Sequence, residues 1–269
     1  MESTSLAQTF ARDGIVAKVS LLSDEKAESY CQKMEEFVAA HGDDPRYGDW
    51  TYFKSHLLLV WVAQIAQEPA ILDAVEAVLG PNILLWNSFL PIKRPFSGGY
   101  FGWHQDGTFW DIAPLTETVT VWLALGSVGE HNGGMRVIPG SHRWGQLEHE
   151  KTFDPQSMLR RGQRITADFD EHTAVDITLA AGQASLHNSA VLHGSTPNHS
   201  TEWRWGVGLN YVSGNVAPIN SYQDSAWLLR GQRVQMGFAT ESPPASSLSA
   251  DALAEYERAV QRSATRYEK

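Results

Sequence analysis

At 269 residues, with 19% charged and 42% apolar positions, the chain has the composition of a globular protein able to bury a large core. A formal charge of −10 argues against a general nucleic-acid surface. The single cysteine, Cys31, excludes an internal disulfide framework and any thiolate metal cluster. The opening MESTSLAQTFARDG has no apolar h-region and no apolar run is long enough to span a membrane, so the expected location is the cytoplasm.

Residues 1–82 read as mostly helical. LAQTFARDGIV predicts a short helix broken at Gly14, and LSDEKAESYCQKMEEFVAAHG one with an Asp cap and a Gly stop. Helical texture is expected throughout residues 5–40. HLLLVWVAQIAQEPAILDAVEAVLG continues the 3.6-residue period, interrupted near Pro69 and ended at Gly80. From Ile83 short β-rich runs take over, divided by Gly, Pro, Asn and Ser, over residues 83–143 and 173–213; they predict a β-sandwich or jelly-roll. Residues 144–172 form a polar insertion, expected to be helical or a lid, with Arg160, Arg161 and Arg164 as a local basic cluster. ESPPASSLS reads as a linker before a last helix over 249–268. The whole is expected to be a single domain, monomeric or homodimeric.

One segment, GYFGWHQDGTFW, places His104 and Asp106 two positions apart among aromatic residues. On a strand, positions i and i+2 share a face, so both side chains can converge on one point. An imidazole nitrogen and a carboxylate oxygen suit a first-row cation, and a second histidine completes a facial triad with open positions. His193, in AVLHGSTPN, is the best-placed third ligand, ending an apolar strand before a Gly-Ser turn. Eleven residues on, Arg204 in WRWGVGLNYV can grip a carboxylate through two parallel hydrogen bonds, with Ser195 adding a hydroxyl. His187, six before His193, reads as capping a strand beside the site.

H-x-D, the distal H-x-S and Arg at +11 stand in order with VTVWLALGS and NGGMRVIPGSH. In this combination the chain resembles the phytanoyl-CoA dioxygenase family of Fe(II)/2-oxoglutarate-dependent oxygenases, from about Ile83 to Val212. The resemblance implies a mainly β fold with flanking helices around a double-stranded β-helix (jelly-roll, cupin-like) core. It implies that His104, Asp106 and His193 bind Fe(II), and that Arg204 and Ser195 hold 2-oxoglutarate beside Trp122, Asn87 and Phe89. It also implies hydroxylation of an unactivated C–H bond of a small-molecule metabolite, as 2-oxoglutarate and O2 become succinate and CO2. Halogenating relatives carry a small residue in place of the carboxylate, so Asp106 points to hydroxylation. Desaturation, cyclisation or epimerisation in natural-product biosynthesis are the alternatives. A cupin-like metal enzyme without 2-oxoglutarate leaves Arg204 with no purpose. Trp103, Phe109, Trp110, Tyr100 and His56 are candidate walls of the substrate pocket.

Overall fold

The computed structural model describes residues 5–159, 162–219 and 224–264. Its helices are α1 (Leu6–Asp13), α2 (Asp24–His41), α3 (Tyr47–Tyr52), α4 (Val60–Ala66), α5 (Pro69–Leu79) and α6 (Ala250–Ala264). The strands are β1 (Ile15–Ser20), β2 (Ile83–Phe89), β3 (Phe101–His104), β4 (Ile112–Ala113), β5 (Thr118–Ala124), β6 (Met135–Ile138), β7 (His149–Glu150) and β8 (Arg164–Ile165). They continue with β9 (Val175–Asp176), β10 (Gln183–His187), β11 (Leu192–Ser195), β12 (Gly206–Ser213), β13 (Ala217–Pro218), β14 (Ser225–Arg230) and β15 (Ala239–Thr240). No described helix is long and apolar enough to cross a membrane.

Local signals set most boundaries. Ser5 and Gln8 close α1 with a reciprocal capping box, and Gly14, at φ +72°, ends it by donating its N–H to Phe10 O. Pro69 opens α5, where it sacrifices no helical hydrogen bond, and Gly80 follows its last residue. The helical expectation fails between α1 and α2: IVAKVS is a strand, paired antiparallel with β10. Two valines and an isoleucine favour the pleat, and a partner 170 residues away decides the matter. The insertion over 144–172 holds no α-helix among its described residues; it carries the β7–β8 ribbon and a 3-10 turn. Arg160 and Arg161 lie outside the described residues, as do positions 265–268 of the expected last helix.

The strands build the expected double-stranded β-helix, a jelly-roll with flanking helices. Two compact units divide the chain. The first takes in Met1–Cys31, Pro91–Trp110 and Trp122–Gly206. Its four-stranded sheet runs β3-β11-β6-β9, antiparallel throughout. In this unit Trp122, Val128, Met135, Val137, Ile177, Leu179 and Val191 form one apolar cluster with Ile15. Burial of each such side chain is worth roughly 1.5–3 kcal/mol.

The second unit takes in Gln32–Leu90, Asp111–Val121 and Val207–Lys269. Here β2 lies between β12 and β14, with Ile83, Leu84, Leu85 and Trp86 buried. Ile71, Leu72, Ala74 and Val75 of α5 are buried at helical spacing. This core also encloses an ion pair. Lys54, wholly buried, donates to Trp86 O at 2.5 Å, Ser225 O at 2.7 Å and Glu241 Oε1 at 2.6 Å.

Candidate metal centre

His193 on β11 lies directly across from His104 on β3, with Val137 of β6 on its other side. The next pairing is Ser195 with Phe101, so β3 carries an extra residue between the two pairs. That bulge turns Phe101 and His104, three positions apart, to the side shared by His193 and Ser195. The strand stops at His104. Asp106 is not on it, as the i, i+2 reading expects, but opens a 3-10 turn, Asp106–Phe109. Gln105 holds the corner: its side-chain amide donates to Gly145 O (2.9 Å) and Ala190 O (2.8 Å), and its oxygen accepts from Leu147 N (2.9 Å). Gly107 N–H adds a bond to Ser189 O at 2.9 Å.

The ligand atoms of His104, Asp106 and His193 all lie within 4.8 Å of one another. Asp106 Oδ1 is 3.3 Å from His104 Nε2 and 3.6 Å from His193 Nε2. His104 Nδ1 donates to Gly102 O at 2.7 Å, and His193 Nδ1 to Val191 O at 3.0 Å. A carbonyl only accepts, so each Nδ1 carries the proton and each Nε2 lone pair faces Oδ1. Burial, with His104 as a neighbour, drives the His193 pKa down to about 3, which keeps the imidazole a ligand. Burial pushes the Asp106 carboxyl up, but the surrounding imidazoles, His193 first and then His104 and His187, outweigh it and hold it well below the usual carboxylate range. Two neutral imidazoles and one carboxylate fit a divalent first-row metal.

A second cluster in the same unit is basic. Arg204 bridges Lys93 through paired backbone bonds of 2.9 and 3.1 Å. Its guanidinium, buried, donates to Gly133 O, to Pro91 O at 2.9 Å and to Ser195 Oγ at 3.4 Å, while Nε has no partner. Lys93, equally buried, donates to Ser195 Oγ at 2.7 Å and to Thr196 O. The guanidinium carbon sits 5.5 Å from the Trp122 ring centre and 5.9 Å from that of Phe101. Among the described residues no carboxylate forms an ion pair with either side chain. Burial and then the charge of Arg204 push the Lys93 pKa down to about 5; burial alone brings Arg204 to about 9. A buried guanidinium without a counter-ion, beside an amine that a bound anion would bring back toward its charged form, makes a site for an anion.

The remaining predicted residues make the following contacts. Asn87 and Phe89 are on β2 in the second unit. Asn87 Oδ1 accepts from Lys54 N (2.8 Å) and its amide donates to Asn210 Oδ1 (3.0 Å). Phe89 faces Gly208, where a Cβ would stand 2.2 Å from the ring. His56 is fully buried in that unit, with Nδ1 2.8 Å from Ser88 Oγ and Nε2 2.9 Å from Glu241 Oε2. Trp103 packs edge-on against Phe169 and under Arg136. Tyr100 donates its hydroxyl to Asp154 at 2.7 Å. Trp110 closes the turn by donating its N–H to Gly107 O, and Phe109 is the turn's last residue.

Three residues at the site escape sequence reasoning. Lys93 sits in PIKRP, where a lysine between prolines reads as surface. Phe101 reads as core, yet its ring lies 6.4 Å from His104 and 5.7 Å from Lys93 Nζ. His149 reads as a solvated loop residue, but its Nε2 accepts from Gln105 N at 3.1 Å. Only His187 leaves a signal, its spacing of six from His193.

A jelly-roll that holds two histidines and an aspartate at one corner, with a buried arginine in the same unit, defines the class of non-haem metal oxygenases. The chain belongs to the phytanoyl-CoA dioxygenase family, whose model it matches over residues 10–206. It is 31% identical over 168 residues to a protein of Stutzerimonas stutzeri named "probable alpha-ketoglutarate-dependent hypophosphite dioxygenase", a match covering 61% of this chain and 57% of that one. It is 26% identical over 212 residues to the ectoine dioxygenase of Streptomyces avermitilis, covering 71% and 72%. Among solved structures, apo ThoJ, a non-heme monooxygenase, is 35% identical with a TM-score of 0.85, covering 97% of each chain. ThoJ has also been solved as a nickel complex.

Proposed function

We propose that the chain is an Fe(II)/2-oxoglutarate-dependent dioxygenase that hydroxylates an unactivated C–H bond of a small-molecule metabolite. The observation that carries this reading is the pairing, in one unit, of the metal-ligand triad with buried, counter-ion-free Lys93 and Arg204. His104, Asp106 and His193 would hold the metal. When bound, the metal with 2-oxoglutarate and O2 supplies the oxidant for hydroxylation, and succinate and CO2 leave.

The chain's own residues bind and orient. Arg204 Nε, unpartnered, would donate to the distal carboxylate, and Ser195 Oγ, fixed by Lys93 Nζ, would add a second contact. Trp122 and Phe101 flank the guanidinium and keep water from it, which strengthens each charge-assisted bond. Asn87 and Phe89 are assigned to the co-substrate on the family resemblance; the bonds of Asn87 to Lys54 and Asn210 fix its amide orientation. A carboxylate at Asp106 supports hydroxylation over halogenation.

Anaerobic titration with Fe(II) and 2-oxoglutarate tests the reading. A weak visible metal-to-ligand charge-transfer band is expected, with succinate release once O2 and substrate are admitted. Absence of both would sink the assignment. Arg204→Met is expected to weaken 2-oxoglutarate binding by roughly 2–4 kcal/mol, about 30- to 1,000-fold, since a buried charged partner is lost. Divalent metal affinity, measured alone by calorimetry, should stay within about threefold of wild type, about 0.65 kcal/mol.

Gly206→Ala provides a subtler check. The added methyl would stand 2.6 and 2.8 Å from two ring atoms of Trp122, so the indole must shift. The expected cost is about 1–3 kcal/mol of stability in urea unfolding. A raised KM for 2-oxoglutarate should accompany it, and an unchanged KM would show that Trp122 does not flank the co-substrate.

A further inference from the structure

His187 is the last residue of β10, opposite Ile15 of β1, and the next amide, Asn188 N–H, donates to Gly14 O at 2.8 Å. Backbone pairing therefore fixes where its ring stands. The ring is buried, 4.8 Å from that of His193 and tilted 52° to it. Its Nε2 lies 3.4 Å from Asp106 Oδ2, the carboxylate oxygen that does not face His104 and His193. Neither ring nitrogen has a well-formed hydrogen bond among the described residues. A buried polar atom left unpaired costs about 1–3 kcal/mol, so an imidazole is a poor choice for packing alone.

We infer that His187 is a positioning residue that donates Nε2–H to Asp106 Oδ2 and thereby presents Oδ1 alone to the metal. An ionised carboxylate only accepts, so the ring nitrogen facing it must be the donor. A carboxylate free at both oxygens can chelate through both and fill a further coordination position. With Oδ2 engaged, Asp106 takes one position, and the faces needed by co-substrate and O2 stay open. His187 thus acts on the metal through Asp106 and is not itself a ligand.

The inference rests on the metal assignment of the triad, and the test separates the two. Ni(II) and anaerobic Fe(II) affinities are measured by calorimetry for wild type, His187→Leu and His187→Gln, with thermal melting of each metal-free protein. Leu keeps volume and removes the donor; Gln keeps an N–H donor. His187→Leu is expected to lose about 10- to 100-fold in metal affinity, the usual cost of losing a carboxylate's outer partner. His187→Gln is expected to recover to within about fivefold of wild type, under 1 kcal/mol. Wild-type affinity in His187→Leu overturns the inference, as does an equal loss in both variants, which a packing or direct-ligand role would give. If His187→Leu does not fold, His187→Gln decides: near-wild-type affinity supports the inference and a loss of tenfold or more overturns it. No metal binding by wild type would instead overturn the assignment of the triad.

Discussion

Asp106→Ala is expected to lower succinate formation at least about 10³-fold, equivalent to roughly 4 kcal/mol of lost transition-state stabilisation. The carboxylate is the only anionic donor in the triad, and Oδ1 lies within 3.6 Å of the Nε2 atoms of both histidines. Its removal leaves two neutral imidazoles, a much weaker site for a hard divalent cation than two imidazoles with a carboxylate. The fold should survive. Asp106 sits on a short turn held by Gln105 and by Gly107, whose bonds to Gly145, Ala190, Leu147 and Ser189 do not involve the deleted group. Thermal melting of the metal-free variant should therefore stay close to wild type. Retention of succinate formation within tenfold of wild type would show that the carboxylate is not a ligand.

Lys54→Met is expected to destabilise the protein by roughly 3–5 kcal/mol, the cost of breaking a buried ion pair from one side. For a chain of this size that corresponds to a Tm lowered by roughly 6–20 °C. The ammonium has three oxygen partners within 2.7 Å, and the variant leaves Glu241 with His56 as its remaining partner. Burial pushes the Glu241 carboxyl up, but Lys54 and His56 outweigh it and bring it down to about 2. A folded-state value below the unfolded one means stability that is fully present above the ordinary carboxylate range and is lost as pH falls toward 2. In Lys54→Met that acid-side dependence should shrink or reverse, because the carboxylate is then better protonated than charged. The double variant Lys54→Met/Glu241→Leu should regain most of the loss, since apolar replacement of a buried pair is close to neutral. Urea unfolding at pH 3 and pH 7 checks both statements, and a loss below 1 kcal/mol at pH 7 would refute the first.

The triad was legible because its chemistry is carried by residue type. Two histidines and an aspartate, followed by an arginine at +11, have few other reasons to occur in that order. The route from sequence to geometry was less legible. Strand alternation brings His104 and Asp106 to one face, yet β3 ends at His104 and Asp106 stands on a 3-10 turn. The convergence comes instead from Gln105, which is bonded to residues 40 and 85 positions away. Residues 15–20 show the same limit. Their strand exists because β10 is there to pair with it, and a flanking helical pattern hides it.

By itself the sequence determined the donor set, the jelly-roll class and the helices whose caps and stops are local. Ser5 and Gln8, Pro69 and Gly80 act within one turn of the residues they direct, so no distant partner is needed to read them. Only the tertiary structure decided that Lys93 stands beside Arg204 without a counter-ion, that Phe101 shares a side with His104, and that His187 faces the second oxygen of Asp106. Each of those depends on the register between strands distant in sequence, on a one-residue bulge and on burial. Local periodicity does not encode these, because pairing across a sheet is settled by which strands meet when the core closes.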